Sequence, residues 1–343
     1  MALVSVIIPC YNVENYIDRC LTTVTSQTIG LENLEIICID DASTDNTLEK
    51  LKQWEQRYPD NIILISSEVN GRQGRARNIG LQYATADWVN FMDSDDWLEP
   101  DFYEKMYTIG KELDCDLVVC QSERDFSTEC TYFKERNTGK KSRCLVIDSV
   151  EKRKIFLVLK SITYLLCTKL LRRSMLIENE ILFPEYLTYE DTYWDTMLHL
   201  YVSKAYILEE KLYHYFVNNH STVLQKASDH HVDLLTVQSK LWEDCKRRGF
   251  FNEYKDALEY DFLHGCYLAF LKIIVFRYEE PSYSYFLLLK EFIITRIGDY
   301  RKNYFINEIE QPDFYKLIFE ALLLPMNRVQ FLELAGYIKR IGL

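Results

Sequence analysis

Three carboxylates stand within four residues at Asp93-Ser94-Asp95-Asp96, directly after the apolar run Trp88–Met92. Carboxylates this close repel one another unless a positive charge lies among them. A divalent cation such as Mg²⁺ or Mn²⁺ is the natural partner, because it binds carboxylate and phosphate oxygens together. Such an ion would join the protein to a nucleotide diphosphate and neutralise a departing phosphate. An isolated cluster of this kind also fits a solvated turn or a helix cap, so its interpretation depends on the neighbouring motifs.

Similar polar segments follow three other apolar runs in the first hundred residues. Pro9-Cys10-Tyr11-Asn12 follows the first run, Asp40-Asp41 follows the second, and Asn70–Gly80 follows the third. Ligands of open α/β sheets bind at the carboxyl ends of the strands. We therefore expect all these segments to meet the acidic cluster at one edge of a sheet.

The side chains of these segments suit the parts of a nucleotide. One carboxylate of Asp40-Asp41 can accept from a base imide or a ribose hydroxyl, and the Tyr11 ring can stack on a base. Helix N-terminal amides together with Arg72, Arg75 and Arg77 suit a diphosphate. Structural alternatives stay open: the acids can begin a helix, Tyr11 can be a core aromatic, and Arg77 can pair with Asp40.

Two hydrophobic periodicities alternate along the first 120 residues and predict the elements that position these segments. Five short apolar runs rich in β-branched residues predict strands at Val4–Ile8, Leu34–Ile39, Ile62–Ser66, Trp88–Met92 and Leu117–Cys120. Helical patterns lie between them at Val13–Gln27, Thr44–Arg57, Gly71–Ala84 and Pro100–Leu113. This alternation predicts an α/β fold with a mostly parallel, Rossmann-like sheet and helices on both faces.

The rest of the chain predicts a second, helical domain. Up to about residue 222 the patterns predict loops or a hairpin over 121–147, followed by two helices and a pair of strands. These are Val150–Leu159, Glu190–Tyr201, Ala205–Leu208 and Leu212–Val217. Beyond Thr222 only amphipathic helical patterns occur. We therefore predict an α/β domain over residues 1–224 and an α-helical C-terminal domain over 225–343.

The composition argues against several classes of protein. The 343 residues carry 40 Lys and Arg against 52 Asp and Glu, a net charge of −12, so no nucleic-acid partner is expected. The ten cysteines form no CxxC pair and several lie in apolar runs, which indicates reduced thiols in a cytoplasmic protein. The sequence also predicts neither a signal peptide nor a membrane-spanning helix.

Four motifs of the first hundred residues occur in a characteristic order and spacing: Val4–Asn12, Asp40–Asp45, Ala76–Gly80 and Asp93–Asp96. Together they resemble family-two glycosyltransferases of the GT-A fold, of the bacterial polysaccharide type. The resemblance covers about residues 3–100, and a weaker match continues to about residue 222. It implies an inverting, metal-dependent enzyme with a nucleotide-sugar donor, most often a UDP-sugar.

The resemblance also implies roles for individual residues. It makes residues 1–100 the nucleotide-sugar-binding half, with donor-binding residues Pro9, Tyr11, Asn12, Asp40, Asp41, Asn70, Arg77, Asp93 and Ser94. Asp41 matches the usual partner of the uracil imide, and Asp93 with Asp95 matches the DxD pair that contacts ribose and metal. Ala42 departs from the commoner glycine of the DDGSTD pattern, a small-for-small change.

A divalent ion, Mn²⁺ or Mg²⁺, is the implied cofactor. Its implied ligands are Asp95, Asp96 and His220, and the choice between the two aspartates stays open. His220 follows the last predicted strand, where related enzymes often carry a histidine near the donor phosphates. A purely structural role is the alternative for this residue.

The acceptor-binding half is expected over residues 101–224. Tyr189-Glu190-Asp191 resembles the family's ED motif at the start of a helix that faces the acceptor. An acceptor hydroxyl is a poor nucleophile and needs a base as it attacks the anomeric carbon. The resemblance makes Asp191 that base and gives Glu190 the role of orienting it or holding the acceptor. The alternative is two first-turn acids that complement the helix dipole. Lys169-Leu170 resembles a KL segment below the acceptor site.

The leading hypothesis is therefore a glycosyltransferase acting on the hydroxyl of a glycan, lipid-linked or protein acceptor in cell-surface polysaccharide or glycoconjugate synthesis. The alternative is a scaffold or regulatory subunit that binds a nucleotide sugar without transferring it. Nucleotidyl transfer would require a triphosphate loop rich in glycine and lysine near the first strand, which the sequence lacks. For the helical domain, a homodimer interface and peripheral contact of Met326–Leu343 with the inner face of the cell membrane are open hypotheses.

Overall fold

A computed structural model describes residues 2–127, 129–217, 226–309 and 313–342 of the chain. They form two compact units, Met1–Asp148 with Lys160–Asn218 and Ser149–Leu159 with Asn219–Leu343. The predicted boundary between residues 224 and 225 lies outside the described residues. Assignment of Ser149–Leu159 to the second unit follows from its packing, which is described below.

The first unit is built on one sheet, whose strands among the described residues are β1 Val4–Cys10, β2 Leu34–Asp40, β3 Ile62–Ser66, β4 Trp88–Phe91, β5 Trp97–Leu98, β6 Leu117–Asp125, β7 Arg143–Val146, β8 Lys169–Arg172 and β9 Lys204–Phe216. The spatial order is β3-β2-β1-β4-β8-β6-β9-β5, and β7 also pairs with β9. The first four strands are parallel, and antiparallel pairing begins where β8 joins β4. The predicted α/β fold is confirmed, but the sheet is mixed rather than mostly parallel: β1 to β4 are parallel, and in the second half β6 pairs in parallel with β9 among antiparallel neighbours.

The helices of the first unit alternate with these strands: α1 Ile17–Thr25, α2 Thr47–Arg57, α3 Arg72–Tyr83, α4 Phe102–Glu112, α6 Arg173–Glu178 and α7 Glu190–Tyr201. The four helices predicted in the first 120 residues are all present. All seven residues of β1 are buried, which explains why its sequence is apolar on both faces, apart from Ser5, rather than alternating.

One prediction about the sheet is wrong: the pair of strands at 205–208 and 212–217 is the single strand β9. The charged residues Glu209 and Glu210 interrupt the apolar pattern there, but neighbouring side chains pair with both carboxylates. Thr138 Oγ1 donates to Glu209 at 2.8 Å, and Lys105 Nζ lies 2.6 Å from Glu210. The strand therefore continues through its charged middle. The short strands β5, β7 and β8 were not predicted.

The second unit is helical, as predicted. Its described helices are α5 Val150–Leu159, α8 Asp233–Arg247, α9 Phe251–Phe262, α10 Ala269–Phe276, α11 Tyr283–Ile297, α12 Tyr304–Glu308, α13 Asp313–Leu323 and α14 Arg328–Ile341. The π-helical turn Leu263–Leu268 joins α9 to α10. Helix α5 packs on α9, and Lys154 Nζ lies 2.9 Å from the Asp256 carboxylate. In the part of the chain that is described, no helix has both the length and the apolar character needed to span a bilayer.

Close packing between α3 and the sheet fixes the helix that begins with the glycine-rich segment. A Cβ atom at Gly80 would lie 2.3 Å from Ile7 Cγ2 and 2.9 Å from Ile39 Cδ1. Ile7 and Ile39 belong to β1 and β2 and are fully buried. Because neither isoleucine can move without disturbing the sheet, only glycine fits at this point of contact.

We predict that Gly80→Ala destabilises the protein through this contact. Overpacking of a buried site costs about 1–3 kcal/mol. Gly336→Ala on α14 is a matched control, because the atom nearest its added Cβ would be a guanidinium nitrogen of Arg340 at 4.0 Å. Urea denaturation followed by circular dichroism should give a lower free energy of unfolding for Gly80→Ala alone. Equal stabilities of the two variants would contradict this packing.

Candidate active site

The predicted polar segments meet at the carboxyl ends of β1, β2 and β4. Asp40, the last residue of β2, pairs in register with Cys10, the last residue of β1. On the other side of β1, the Met92 N–H donates to the Ile7 carbonyl at 2.9 Å, immediately before Asp93. Three of the four segments therefore begin at one edge of the sheet, as the alternation of strands and helices predicts.

Asp41 connects this edge to the start of α3. Both of its carboxylate oxygens accept from the Gly71 N–H, at 2.9 and 3.1 Å, and the Asn70 amide donates to its carbonyl at 3.2 Å. Burial raises the pKa of Asp41, and the backbone N–H groups of Gly71 and Arg72 oppose that rise. The adjacent Asp40 is buried, and within the described ranges only Ser66 donates to its carboxylate, at 3.4 Å.

A second link joins the loops after β1 and β2. The Asn12 N–H donates to Ser43 Oγ at 3.1 Å, and the Thr44 N–H donates to Asn12 Oδ1 at 2.8 Å. Ala42 has a φ of +60°, in the left-handed region that disfavours any side chain by about 1–2 kcal/mol. This conformation explains why a glycine suits that position. The Tyr11 side chain is 48% exposed, so its alternative role as a core aromatic is wrong, whereas Pro9 is buried.

Arg77 joins the acidic cluster to the start of α7. Its guanidinium donates to Asp93 Oδ1 at 3.1 Å through Nη2 and to Glu190 Oε1 at 2.7 Å through Nη1. The side chain is buried against the Phe183 ring. Burial opposes the charge of Arg77, but Asp93, Glu190 and Asp191 together raise its pKa. The structure thus pairs Arg77 with these acids and not with Asp40, the structural partner considered from sequence.

Within the acidic cluster, Asp96 is held in a fixed orientation. It is 1% exposed, and its two oxygens accept from the Tyr213 hydroxyl at 2.6 Å and from the Phe216 N–H at 2.7 Å. Burial, then Asp95 and Asp93, raise the pKa of Asp96 well above its ordinary value. Among the described residues no basic side chain pairs with it. A buried carboxylate without a counter-charge is a favourable place for a cation.

Atoms that could bind such a cation come from Asp93, Asp96 and Cys167, whose ligand atoms lie within 4.8 Å of one another. Cys167 is a thiol that the sequence analysis did not assign to this site. Asp95 accepts a hydrogen bond from Arg19 at its backbone carbonyl, at 2.6 Å, and Ser94 is buried beside it. His220 lies outside the described residues. The predicted ligands Asp95 and His220 therefore stay predictions.

The ED motif begins α7, and Tyr189 before it has a φ of +68°. Burial raises the pKa of Glu190 to about 7, and Asp191 adds to this effect while Arg77 opposes it. Burial also raises the pKa of Asp191, with Arg77 again opposing and Asp195 and Asp93 adding. Glu190, with a pKa of about 7, can exchange a proton near neutral pH, and the raised pKa of Asp191 makes it a better proton acceptor than an ordinary aspartate.

The side chain of Asn78 on α3 holds the loop that leads into α7. The Asn78 amide donates to the Phe183 carbonyl at 2.9 Å and accepts from the Phe183 N–H at 2.9 Å, as a neighbouring strand would. Asn78 belongs to the Ala76–Gly80 motif and directly follows Arg77. One turn of α3 therefore fixes both the guanidinium and the loop that carries the ED motif.

Several charged residues next to this site were not identified from the sequence. Asp195 and His199 lie on α7, and Lys160 Nζ is 3.2 Å from the Asp195 carboxylate. The sequence did carry a signal for Asp195 and His199, because positions 191, 195 and 199 are four residues apart and lie on one face of a helix. Tyr213, which orients Asp96, had no such signal, since it reaches the site through strand pairing.

The sequence matches the model for "Glycosyl transferase family 2" over residues 5–179, slightly more than half of the chain. A poly(ribitol-phosphate) beta-glucosyltransferase of Bacillus spizizenii is 30% identical over 218 residues, which are 62% of this chain and 32% of that protein. The chain thus matches only about a third of that relative. The Escherichia coli glycosyltransferase YibD is 27% identical over 272 residues, which are 77% of this chain and 78% of that protein.

Solved structures with the same fold include TarS of Staphylococcus aureus. The crystal structure of its residues 1–349 aligns with a TM-score of 0.64 at 20% identity, covering 86% of this chain and 81% of that one. Its complex with UDP-GlcNAc aligns with a TM-score of 0.56, covering 79% of this chain and 81% of that one. This likeness shows the GT-A fold. The family match extends from β1 to α6 and includes the acidic cluster, and the chain therefore belongs to glycosyl transferase family 2.

Proposed function

We propose that this glycosyltransferase moves a sugar from a UDP-sugar to an acceptor hydroxyl, with inversion at the anomeric carbon. The main support for this proposal is the pair of contacts that Arg77 makes. Its guanidinium bonds to Asp93, in the predicted donor site, and to Glu190, in the predicted acceptor site. The groups that would bind the two substrates are thus held by one buried side chain.

The donor is a UDP-sugar bound by residues 1–100. TarS has been crystallised with UDP-GlcNAc, and this supports the same nucleotide here. The exposed Tyr11 ring is available to stack on the uracil, and Asp41 lies at the edge of the sheet where the base would bind. Arg77, in the second turn of α3, would contact the diphosphate, and the N–H groups at the start of that helix also favour an anion.

The acidic cluster fits a divalent ion. Its buried Asp96 has no counter-charge among the described residues, and its oxygen ligands suit Mn²⁺ and Mg²⁺. Asp93, Asp95 and Asp96 are the residues that would hold the ion. When bound, it would stabilise the negative charge that develops on the departing diphosphate.

Asp191 acts as the base in the proposed reaction. It removes the proton of the acceptor hydroxyl while that oxygen forms a bond to the anomeric carbon. The bond between the anomeric carbon and the diphosphate oxygen breaks at the same time, and UDP leaves with its electron pair. A single displacement inverts the configuration, so an α-linked donor gives a β-linked product. Glu190, which is bonded to Arg77, orients the acceptor beside Asp191.

The acceptor is a hydroxyl of a cell-surface polymer or its precursor, bound by residues 101–224. The relative in Bacillus spizizenii is named for action on poly(ribitol-phosphate), which supports an acceptor of this class. We further propose a cytoplasmic location, because all ten cysteines are free thiols and free thiols persist in a reducing compartment. Dimerisation and membrane contact of the helical C-terminal region are additional proposals.

The donor assignment predicts selective turnover of UDP-sugars. Purified protein with Mn²⁺ and a hydroxyl acceptor should release UDP from at least one UDP-sugar, and the matching GDP- and TDP-sugars should give no product. Bound donor should also raise the melting temperature, since a ligand of the native state stabilises it by mass action. Binding of a donor without turnover would favour the non-catalytic scaffold, and absence of both binding and turnover for every donor, with metal present, would refute the assignment.

The metal assignment predicts dependence on a divalent ion. Treatment with EDTA should abolish UDP release, and added Mn²⁺ or Mg²⁺ should restore it. Loss of a ligand weakens metal affinity at least roughly tenfold, so Asp95→Asn should raise the Mn²⁺ concentration needed for half-maximal rate by that factor. Full activity of metal-free protein, verified by elemental analysis, would contradict the assignment.

The role of Asp191 predicts a loss confined to the chemical step. Asp191→Asn should lower the turnover number by roughly 10²–10⁴-fold, the usual contribution of a general base. Isothermal titration should give an unchanged donor affinity, because the variant keeps the shape of the side chain. For the wild type, the rate should fall as the pH falls through the raised pKa of Asp191. A variant with near-normal turnover would show that another group removes the proton.

A further inference from the structure

One positive charge lies beside the acidic cluster and has no role in the proposed reaction. Arg19, on α1, donates to two backbone carbonyls, from Nη2 to Asp95 O at 2.6 Å and from Nη1 to Ser127 O at 2.9 Å. Among the residues that the structure describes, its guanidinium forms no ion pair with a carboxylate of the cluster. Arg19 therefore holds backbone at the cluster without neutralising the acids.

Aromatic rings fix the guanidinium of Arg19 in place. Its Cζ lies 4.0 Å from the centroid of the Trp97 ring and 4.7 Å from that of the Phe216 ring. A planar guanidinium stacks well on aromatic faces and still directs its N–H groups outward. Trp97 is fully buried and directly follows Asp96 in the chain. The ring that supports Arg19 is thus part of the segment that Arg19 binds.

His214 of β9 anchors this ring in turn. Its imidazole is fully buried and stacks on Trp97, with centroids 4.9 Å apart and an angle of 14° between the planes. His214 Nε2 lies 2.9 Å from Glu99 Oε1, and Nδ1 lies 3.2 Å from Asp125 Oδ2. A ring with a hydrogen-bond partner at each nitrogen cannot rotate without losing one of them. The support beneath Arg19 is therefore rigid.

These contacts converge on two residues of the acidic cluster. Arg19 holds the carbonyl of Asp95 and, because a peptide group is planar, the whole link from Asp95 to Asp96. The Tyr213 hydroxyl and the Phe216 N–H hold the two carboxylate oxygens of Asp96, at 2.6 and 2.7 Å. Backbone and side chain of this segment are thus fixed by separate bonds from α1 and β9.

The choice of a carbonyl as partner has a consequence for metal binding. A guanidinium bonded to a carboxylate would occupy oxygens that a divalent ion needs, whereas one bonded to a carbonyl orients the backbone and leaves those oxygens for the ion. The positive charge of the guanidinium still repels a cation. The two effects of Arg19 on metal binding therefore have opposite signs: its hydrogen bonds favour binding, and its charge opposes it.

We propose that Arg19 is a positioning residue of the metal site, which holds the Asp95–Asp96 segment in the orientation that binds the divalent ion. The inference rests on the proposed function, in which these aspartates hold the ion. Arg19 needs no contact with the ion or with a substrate.

Replacement of Arg19 tests the proposal, because its two effects predict opposite results. Arg19→Met keeps an apolar stem on Trp97 but removes the charge and both hydrogen bonds. Loss of a residue that orients metal ligands lowers metal affinity roughly 10–100-fold, so the Kd for Mn²⁺ should rise at least about tenfold. The Kd is measured by titrating Mn²⁺ with protein and following the electron paramagnetic resonance signal of free Mn²⁺, which requires no turnover. An effect of charge alone would instead lower the Kd.

Two further variants sharpen the test. Arg57→Met is the matched control, because Arg57 also stacks on a tryptophan, Trp54, but lies on α2 and has no contact with the cluster. It should leave the Kd unchanged. Arg19→Lys keeps the charge but loses the planar fork, so its Kd should also rise. A purely structural role of Arg19 would lower the melting temperature and leave the Kd, measured well below it, unchanged.

An Arg19→Met protein that binds Mn²⁺ as tightly as the wild type, or more tightly, would overturn the proposal. If this variant does not fold, as judged by thermal unfolding, Arg19→Lys decides by the same criterion. Asp95→Asn separates the two levels of inference. If Asp95→Asn binds Mn²⁺ more weakly while Arg19→Met does not, only the positioning role fails. If the wild type binds no Mn²⁺, the metal assignment fails and the positioning role fails with it.

Discussion

The buried guanidinium of Arg77 is the interaction on which the site depends. It bonds to Asp93 after β4 and to Glu190 at the start of α7, two carboxylates that come from segments nearly one hundred residues apart in sequence. Removing one partner from a buried charge network typically costs roughly 3–5 kcal/mol, because the remaining charges lose their compensation. The same side chain thus holds the acidic cluster and helix α7 together and limits how far either can move.

Burial shapes the acid–base chemistry of the whole site. Glu190, Asp191 and Asp96 all have raised pKa values, and in each case burial is the largest cause. Their differences come from their partners: Arg77 opposes the rise at Glu190 and Asp191, whereas the main neighbours of Asp96 are other acids. A site with both kinds of carboxylate can bind a cation at one end and accept a proton at the other.

Residues at strand ends could be predicted from the sequence, because the alternation of strands and helices determines which loops share an edge of the sheet. Asp40, Asp41 and Asp93 were found in this way. Residues that reach the site through strand pairing in the second half of the sheet could not be predicted in this way, and Tyr213 on β9 is the clearest case. Its strand was predicted as two strands, because Glu209 and Glu210 interrupt the apolar pattern. In the structure both carboxylates are paired with side chains that are distant in sequence, so the strand continues through them. Cys167 was likewise not identified, because it is one of ten scattered cysteines and no ligand spacing marks it.

The two hydrogen bonds between Asn78 and Phe183 restrict how the proposed acceptor side of the enzyme can diverge. They anchor the beginning of the segment 183–190, and Arg77 anchors its end at Glu190. An insertion or deletion between these anchors would displace Glu190 and Asp191 from the Arg77 guanidinium and from the proposed donor site. The side chain of Tyr186, which is exposed, can change without that consequence. New acceptor preferences should therefore evolve, or be engineered, by substitution at constant loop length.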